Sequence, residues 1–311
     1  MYDVPRKGVV FSLKKGNPDT VRFISPFRSG YPEVDQARAL YYEPPHAERA
    51  LVFVHGLGRV GVTHLTYYPK KLSRHGVTAI MPIMPFHEER VSTDCKHAQK
   101  FVSGPSEVME KKFSQAVTDV LSCVDYLEQR GHTSCDIMGI SSGGMIATIA
   151  MALDRRIKRG VLVITGGNLE IISWKSVSTR IYRTWRGSER KNQLQRSHRI
   201  RREFEECVES FTSLSDLKNV PGFFRYDPSL FAKLIGSERV LMFSASVDIF
   251  IPREASDDLW QRLGKPKRYL LPCGHLGAHI FFKRFILKKS LEFVTGKEIS
   301  AEKETHPAEE G

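Results

Sequence analysis

The sequence predicts an α/β protein: a mostly parallel central sheet with helices on both faces, carrying a helical cap. Three observations carry this reading. Short, continuously apolar runs alternate with stretches of helical periodicity, the pattern of strands buried on both faces. Each residue with chemical potential falls just after such a run, at the strand ends where sheets of this class bind ligands. Between about Gly166 and Gly236 the strand signals give way to a basic, helix-forming stretch.

Taken in order, the amino-terminal runs Val9-Val10-Phe11, Val21–Ile24 and Ala39–Tyr42 are broken by Pro, Gly and Asn, as in an antiparallel edge or hairpin. Ala50-Leu51-Val52-Phe53-Val54 is continuously apolar, as a central strand should be, and ends in His55-Gly56-Leu57-Gly58. A helix is expected over Thr63–Arg74 and a buried strand over Val77–Ile80. The irregular stretch from Pro82 to Pro105 is long enough to suggest a functional loop. Met109, Phe113, Ala116, Val117, Val120, Leu121, Val124 and Leu127 then mark a long amphipathic helix that ends near Gly131. Cys135–Met138 reads as a strand and Met145–Leu153 as a helix. Later strands are expected at Gly160–Ile164, Arg239–Ser244 and Lys267–Leu271, and helices at Glu254–Leu263 and Ala278–Val294. The chain thus divides into a catalytic domain (1–165 and 237–296), a helical cap (166–236) and a polar, mobile tail (297–311).

Between the strand at Cys135 and the following helix lies Gly139-Ile140-Ser141-Ser142-Gly143-Gly144. A G-x-S-x-G sequence in strand–turn–helix context places the serine on a strained elbow with its hydroxyl exposed. The register selects Ser141, because counting from Ser142 puts Ile140 where the first glycine must be. A serine hydroxyl is a weak nucleophile and needs a base, and the base needs a group to orient it. Asp248, in the turn after the Arg239 strand, and His275, after the last strand, supply both in the order Ser, Asp, His. Acyl transfer also needs N–H donors for the developing oxyanion. Ser142 N–H, at a helix start, and Leu57 N–H, in the loop after the Ala50 strand, are the candidates.

These motifs resemble those of the α/β-hydrolase superfamily over roughly Leu40 to Val294. The matching residues are His55-Gly56-x-Gly58, Gly139-x-Ser141-x-Gly143-Gly144, Asp248-x-x-Ile251-Pro252 and Gly274-His275. Pro85-Phe86-His87-Glu88-Glu89-Arg90 is similar to a loop of less characterised hydrolase-domain proteins. The resemblance implies a two-step mechanism through an acyl-enzyme, with no metal or organic cofactor: Ser141 attacks, His275 shuttles the proton and Asp248 orients His275. The chain departs from many members in having the small Ser142 after the nucleophile. The expected function is cleavage of a carboxylic ester on a small molecule. A peptidase, thioesterase or lipase is the alternative within the fold; a peptidase is disfavoured because the chain is too short to carry a propeller-like domain ahead of the catalytic region.

Other residues have weaker claims. His87 is a surface histidine or a substrate-pocket contact. Cys273 is a structural thiol, and Asp227-Pro228 reads as a helix N-cap followed by proline at the first helical position. The histidines at 55, 64, 75, 87, 97 and 132 lack metal-ligand spacing. The net charge of +12 is concentrated in Arg180–Arg202, where Trp and Ile interleave with arginines. That segment is a cap with a solvated basic face, or one making weak contact with an anionic surface; a binding protein on a hydrolase scaffold is the second functional class. No nucleic-acid partner is expected. No apolar run reaches the roughly 20 residues of a membrane span. The start lacks the apolar core of a secretory signal. Five scattered cysteines fit reduced thiols, and the expected location is cytoplasmic.

Overall fold

A computed structural model describes residues 2, 5–58, 61–92, 101–102, 104–177 and 190–299, with the side chains of 190–196 excepted. Its strands are β1 (Ser12–Lys14), β2 (Asp19–Ile24), β3 (Gln36–Tyr42), β4 (Arg49–Val54), β5 (Val77–Pro82), β6 (Cys135–Ile140), β7 (Ile157–Val163), β8 (Val240–Ala245) and β9 (Lys267–Leu271). They form a nine-stranded sheet in the order β1-β2-β3-β5-β4-β6-β7-β8-β9. β1, β2, β3 and β5 pair antiparallel in succession. From β5 through β9 every pairing is parallel.

The helices are α1 (Pro32–Asp35), α2 (Tyr67–Arg74), α3 (Ser106–Gln129), α4 (Ser142–Leu153), α5 (Leu169–Lys175), α6 (Arg190–Ser210), α7 (Pro228–Ala232), α8 (Arg253–Arg262), α9 (His275–Phe281) and α10 (Lys283–Thr295). Strand alternation splits the core in two. Val52 and Val54 of β4 join Val117 and Val120 of α3 and Ile146 and Ile149 of α4 on one face. Leu51 and Phe53 join Tyr68 and Leu72 of α2 and Ile286 and Leu291 of α10 on the other. Burying each such side chain contributes roughly 1.5–3 kcal/mol, so β4 is anchored from both sides.

Three elements differ from expectation. Val9–Phe11 is not a strand. Val9 N–H closes a turn on Arg6, and sheet pairing begins at Ser12. Phe11 instead packs its ring 5.2 Å from Phe23 and 5.3 Å from Tyr126. The last predicted helix is two, α9 and α10, separated at Phe282, whose φ of −111° and ψ of 5° leave the helical range. α9 also starts earlier, because extended Gly274 caps it and places His275 at its first position.

Extra helices between β7 and β8 form a cap insertion. Phe204, Val208 and Phe211 of its α6 region, with Phe224, join the core on the α3–α4 face. Asp227 caps α7 with Pro228 at its first position, accepting from Ser229 N–H at 2.9 Å. The same carboxylate accepts from Asn168 N–H at 2.9 Å and Leu169 N–H at 2.5 Å, clasping the start of the cap to its end. Of the basic segment, 178–189 and the side chains of 190–196 lie outside the described residues. Arg199 and Arg201, which are described, face Glu203 and Glu254. Residues 93–100, 103 and 300–311 of the predicted loop and tail likewise lie outside.

Candidate active site

β4 and β6 are neighbours, yet the chain leaves β4 toward β5 and returns to the far side of β4 as β6. That reversal opens a crevice at their carboxyl ends, where α/β sheets bind ligands. The segment His55–Gly58 leaves β4 there, and the Ser141 turn leaves β6, with Val54 paired to Gly139.

Ser141 has φ 54° and ψ −122°, a conformation that L-residues rarely adopt. Its neighbours hold it there. Its N–H donates to Val163 O at 2.9 Å, and its carbonyl accepts from Thr165 Oγ1 at 2.7 Å and from Gly144 N–H at 2.9 Å. The glycines are a packing requirement. A Cβ on Gly139 would lie 2.4 Å from Gly143 O, and one on Gly143 would lie 2.2 Å from Val54 O.

His275 and Asp248 meet at this turn. Asp248 Oδ1 accepts from the N–H groups of Phe250 and Ile251 at 2.9 Å each, which fixes the carboxylate and aims Oδ2 outward. Oδ2 lies 2.6 Å from His275 Nδ1, and His275 Nε2 lies 3.0 Å from Ser141 Oγ. With the carboxylate accepting from Nδ1–H, a neutral ring turns its Nε2 lone pair toward the serine hydroxyl. Asp248 is almost wholly buried and His275 only slightly more exposed, so little water competes for these bonds.

The segment His55–Gly58 lies against the elbow: a Cβ on Gly56 would sit 3.3 Å from Ser141 Cβ. His55 is fully buried; its Nε2 accepts from Met84 N–H at 2.9 Å and its Nδ1 contacts Gly56 O at 2.6 Å. Among the described residues, no hydrogen bond uses the N–H of Leu57 or of Ser142.

His87 is not a surface histidine. It is fully buried, its Nε2 lies 2.8 Å from Leu57 O, and its Nδ1 lies 2.9 Å from Pro85 O. It therefore grips the segment His55–Gly58. Two further residues of the 85–90 loop, passed over by sequence reasoning, tie that loop to its neighbours. Glu88 Oε1 accepts from Val62 N–H at 2.7 Å. Arg90, fully buried, donates to Val34 O, to Ile83 O and, at 2.7 Å, to Asp119 Oδ2 on α3. Burial pushes the Asp119 carboxyl up, and the Arg90 charge is the largest influence opposing it. A readable signal for this pair was Asp119 itself, an acid with Ala116, Val120 and Cys123 around it at helical spacing.

Cys273 is half-buried, and burial raises its thiol above the usual range. Among the described residues, no cluster of His, Cys, Asp and Glu is arranged to hold a metal ion. No described helix is long and apolar enough to cross a membrane.

The overall fold occurs in known structures. The chain superposes on the Pyrococcus horikoshii acylaminoacyl peptidase with a TM-score of 0.61 at 16% identity, over 97% of this chain and 44% of that one. An acetyl xylan esterase from Paenibacillus sp. R4 gives 0.61 at 17% identity, over 92% and 90% of the two chains. The alpha/beta hydrolase GrgF from Penicillium sp. sh18 gives 0.55 at 14% identity, over 84% and 94%. The chain has the α/β-hydrolase fold. In sequence, it is 32% identical over 71 residues to the uncharacterized protein YdjC of Bacillus subtilis, which is 23% of this chain and 60% of that relative. The chain thus spans less than two thirds of that relative and under half of the peptidase. No protein-family model matches it. Within the α/β-hydrolase fold, Ser141, Asp248 and His275 come from turns after β6, β8 and β9 and converge at one end of the sheet.

Proposed function

We propose that the chain is a serine hydrolase that cleaves a carboxylic ester through an acyl-enzyme. The observation that carries this reading is the unbroken hydrogen-bonded line from Asp248 Oδ2 through His275 to Ser141 Oγ. Ser141 Oγ attacks the ester carbonyl while His275 Nε2 takes its proton. Asp248 holds the ring in the tautomer this requires and stabilises the imidazolium that forms. The N–H groups of Leu57 and Ser142 receive the oxyanion, the latter aided by the α4 dipole. Collapse of the tetrahedral intermediate breaks the acyl–oxygen bond, and His275 returns the proton to the leaving alkoxide. Water, deprotonated by His275, then attacks the acyl-enzyme, releasing the acid and restoring Ser141. No step needs a metal or organic cofactor.

The ester reading is supported by the likeness to the acetyl xylan esterase, which runs over nine-tenths of both chains. The four free cysteines among the described residues support a reducing, cytoplasmic setting.

Hydrolysis of p-nitrophenyl acetate and butyrate, measured for the wild type and Ser141→Ala, tests the reading. The variant is expected to lose roughly four to six orders of magnitude in kcat and all labelling by a fluorophosphonate probe. Equal rates in the two proteins would sink the proposal.

A further inference from the structure

Two side chains whose buried polar atoms have no partner among the described residues line one pocket, next to the helix that carries His275. The pocket, of about 280 Å³, lies between the segment Thr63–Arg74 and α9. Tyr68 of α2 lines it. Its side chain is 2% exposed, stacks on Phe53 of β4, and ends in a buried Oη with no hydrogen-bond partner. His279 of α9 lines it too, and its Nδ1 is likewise buried with no partner. With His64 also on its wall, Lys283, the first residue of α10, completes the polar set. It pairs with no carboxylate among the described residues, and its Nζ stands 5.1 Å above the Tyr67 ring. Leu65 and Ile280 supply apolar wall.

The chemistry of these groups points one way. Burial holds the Tyr68 phenol protonated far above its ordinary range, so its O–H is a donor. Burial, followed by the neighbouring His275 and His64, pushes His279 down to about 4. Its ring is therefore neutral near pH 7 and can present Nδ1–H. Lys283 adds a cation. Among the described residues, no acidic side chain lines the pocket. Donors and a cation with no acceptor charge among them suit an anion, and buried donors left unpaired are costly until one arrives.

Position says which part of a substrate would bring it. His279 stands one turn after His275 on α9. In ester cleavage the leaving oxygen must face His275 Nε2 to take its proton. The pocket shares the His275 helix, and on that ground we place it on the leaving-group side.

We propose that this pocket receives a carboxylate carried on the alcohol portion of the substrate, so that the chain prefers esters of hydroxy acids to esters of neutral alcohols. This assignment rests on the serine-hydrolase reading, and the experiment separates the two. The probes are 6-acetoxyhexanoate and hexyl acetate, which differ in a terminal carboxylate against a methyl group. Calorimetric binding to full-length Ser141→Ala protein is expected to be at least about tenfold tighter for the anion. The ratio should fall to within about twofold in Lys283→Met and in Tyr68→Phe, each in the same background. Lys283 is exposed, so its substitution leaves the fold intact. The same ratio is expected in kcat/KM of the enzyme with Ser141. Equal affinity for the two esters, or an anion preference that survives both substitutions, overturns the pocket. Preferential binding without turnover of either ester supports the pocket and overturns the hydrolase reading. Free hexanoate that binds through Lys283 and Tyr68, with no kcat/KM preference between the two esters, assigns the pocket to a free anion and overturns the substrate role.

Discussion

The turn at Ser141 stores strain that its neighbours maintain. A non-glycine residue in so sparsely populated a conformation costs about 1–3 kcal/mol, and the bonds from Val163, Thr165 and Gly144 sustain it. Ser141→Gly is therefore expected to abolish hydrolysis while raising the free energy of unfolding by up to about 1 kcal/mol. Ser141→Ala, which keeps Cβ, should abolish it without that gain. Equal denaturation midpoints for the two variants would refute strain at this position. The triad residues were legible because each follows a strand and the glycine spacing fixes the register. His87 was not, because its burial depends on how the 85–90 loop folds back onto Leu57, and a loop's path leaves no periodicity to read.

Among the elements, the 85–90 loop is tied to α3 by a buried ion pair. Arg90 and Asp119 are both buried, so removing one partner leaves the other charged and unsolvated. Arg90→Met is expected to destabilise by about 3–5 kcal/mol. The double change with Asp119→Leu should restore part of that loss, which a double-mutant cycle by urea denaturation would measure; a strictly additive cycle would contradict the coupling. Strands β4, β5, β6 and β8 were legible because two-sided burial demands largely apolar runs. The ends of the helical elements were less so. The break at Phe282 is a backbone event within an otherwise unbroken apolar pattern, and β1 is defined by its pairing with β2 rather than by its own apolar content.

For the molecule as a whole, Asp227 couples the cap to pH. Burial pushes its pKa from an ordinary 3.8 up to about 7, against the three backbone N–H groups that bind its carboxylate. Between these values the folded chain keeps a proton that the unfolded chain has released. The stability this group confers is thus full near pH 4 and is lost as pH rises through about 7. The excess unfolding free energy of wild type over Asp227→Asn is expected to fall by a few kcal/mol across that window. A difference that stays constant with pH would disprove the linkage. Such coupling lay beyond sequence reading, which recognised Asp227 as a cap residue but not the second pair of amides it binds. The sheet order has a consequence of another kind. His275 hangs from β9, the edge strand, and its partner serine is 134 residues earlier in the chain. Such long-range contacts form late, since loop closure must come first. A newly made chain therefore has no armed serine until its final strand has docked, and reactivity at Ser141 is a property of the finished molecule rather than of any folding intermediate.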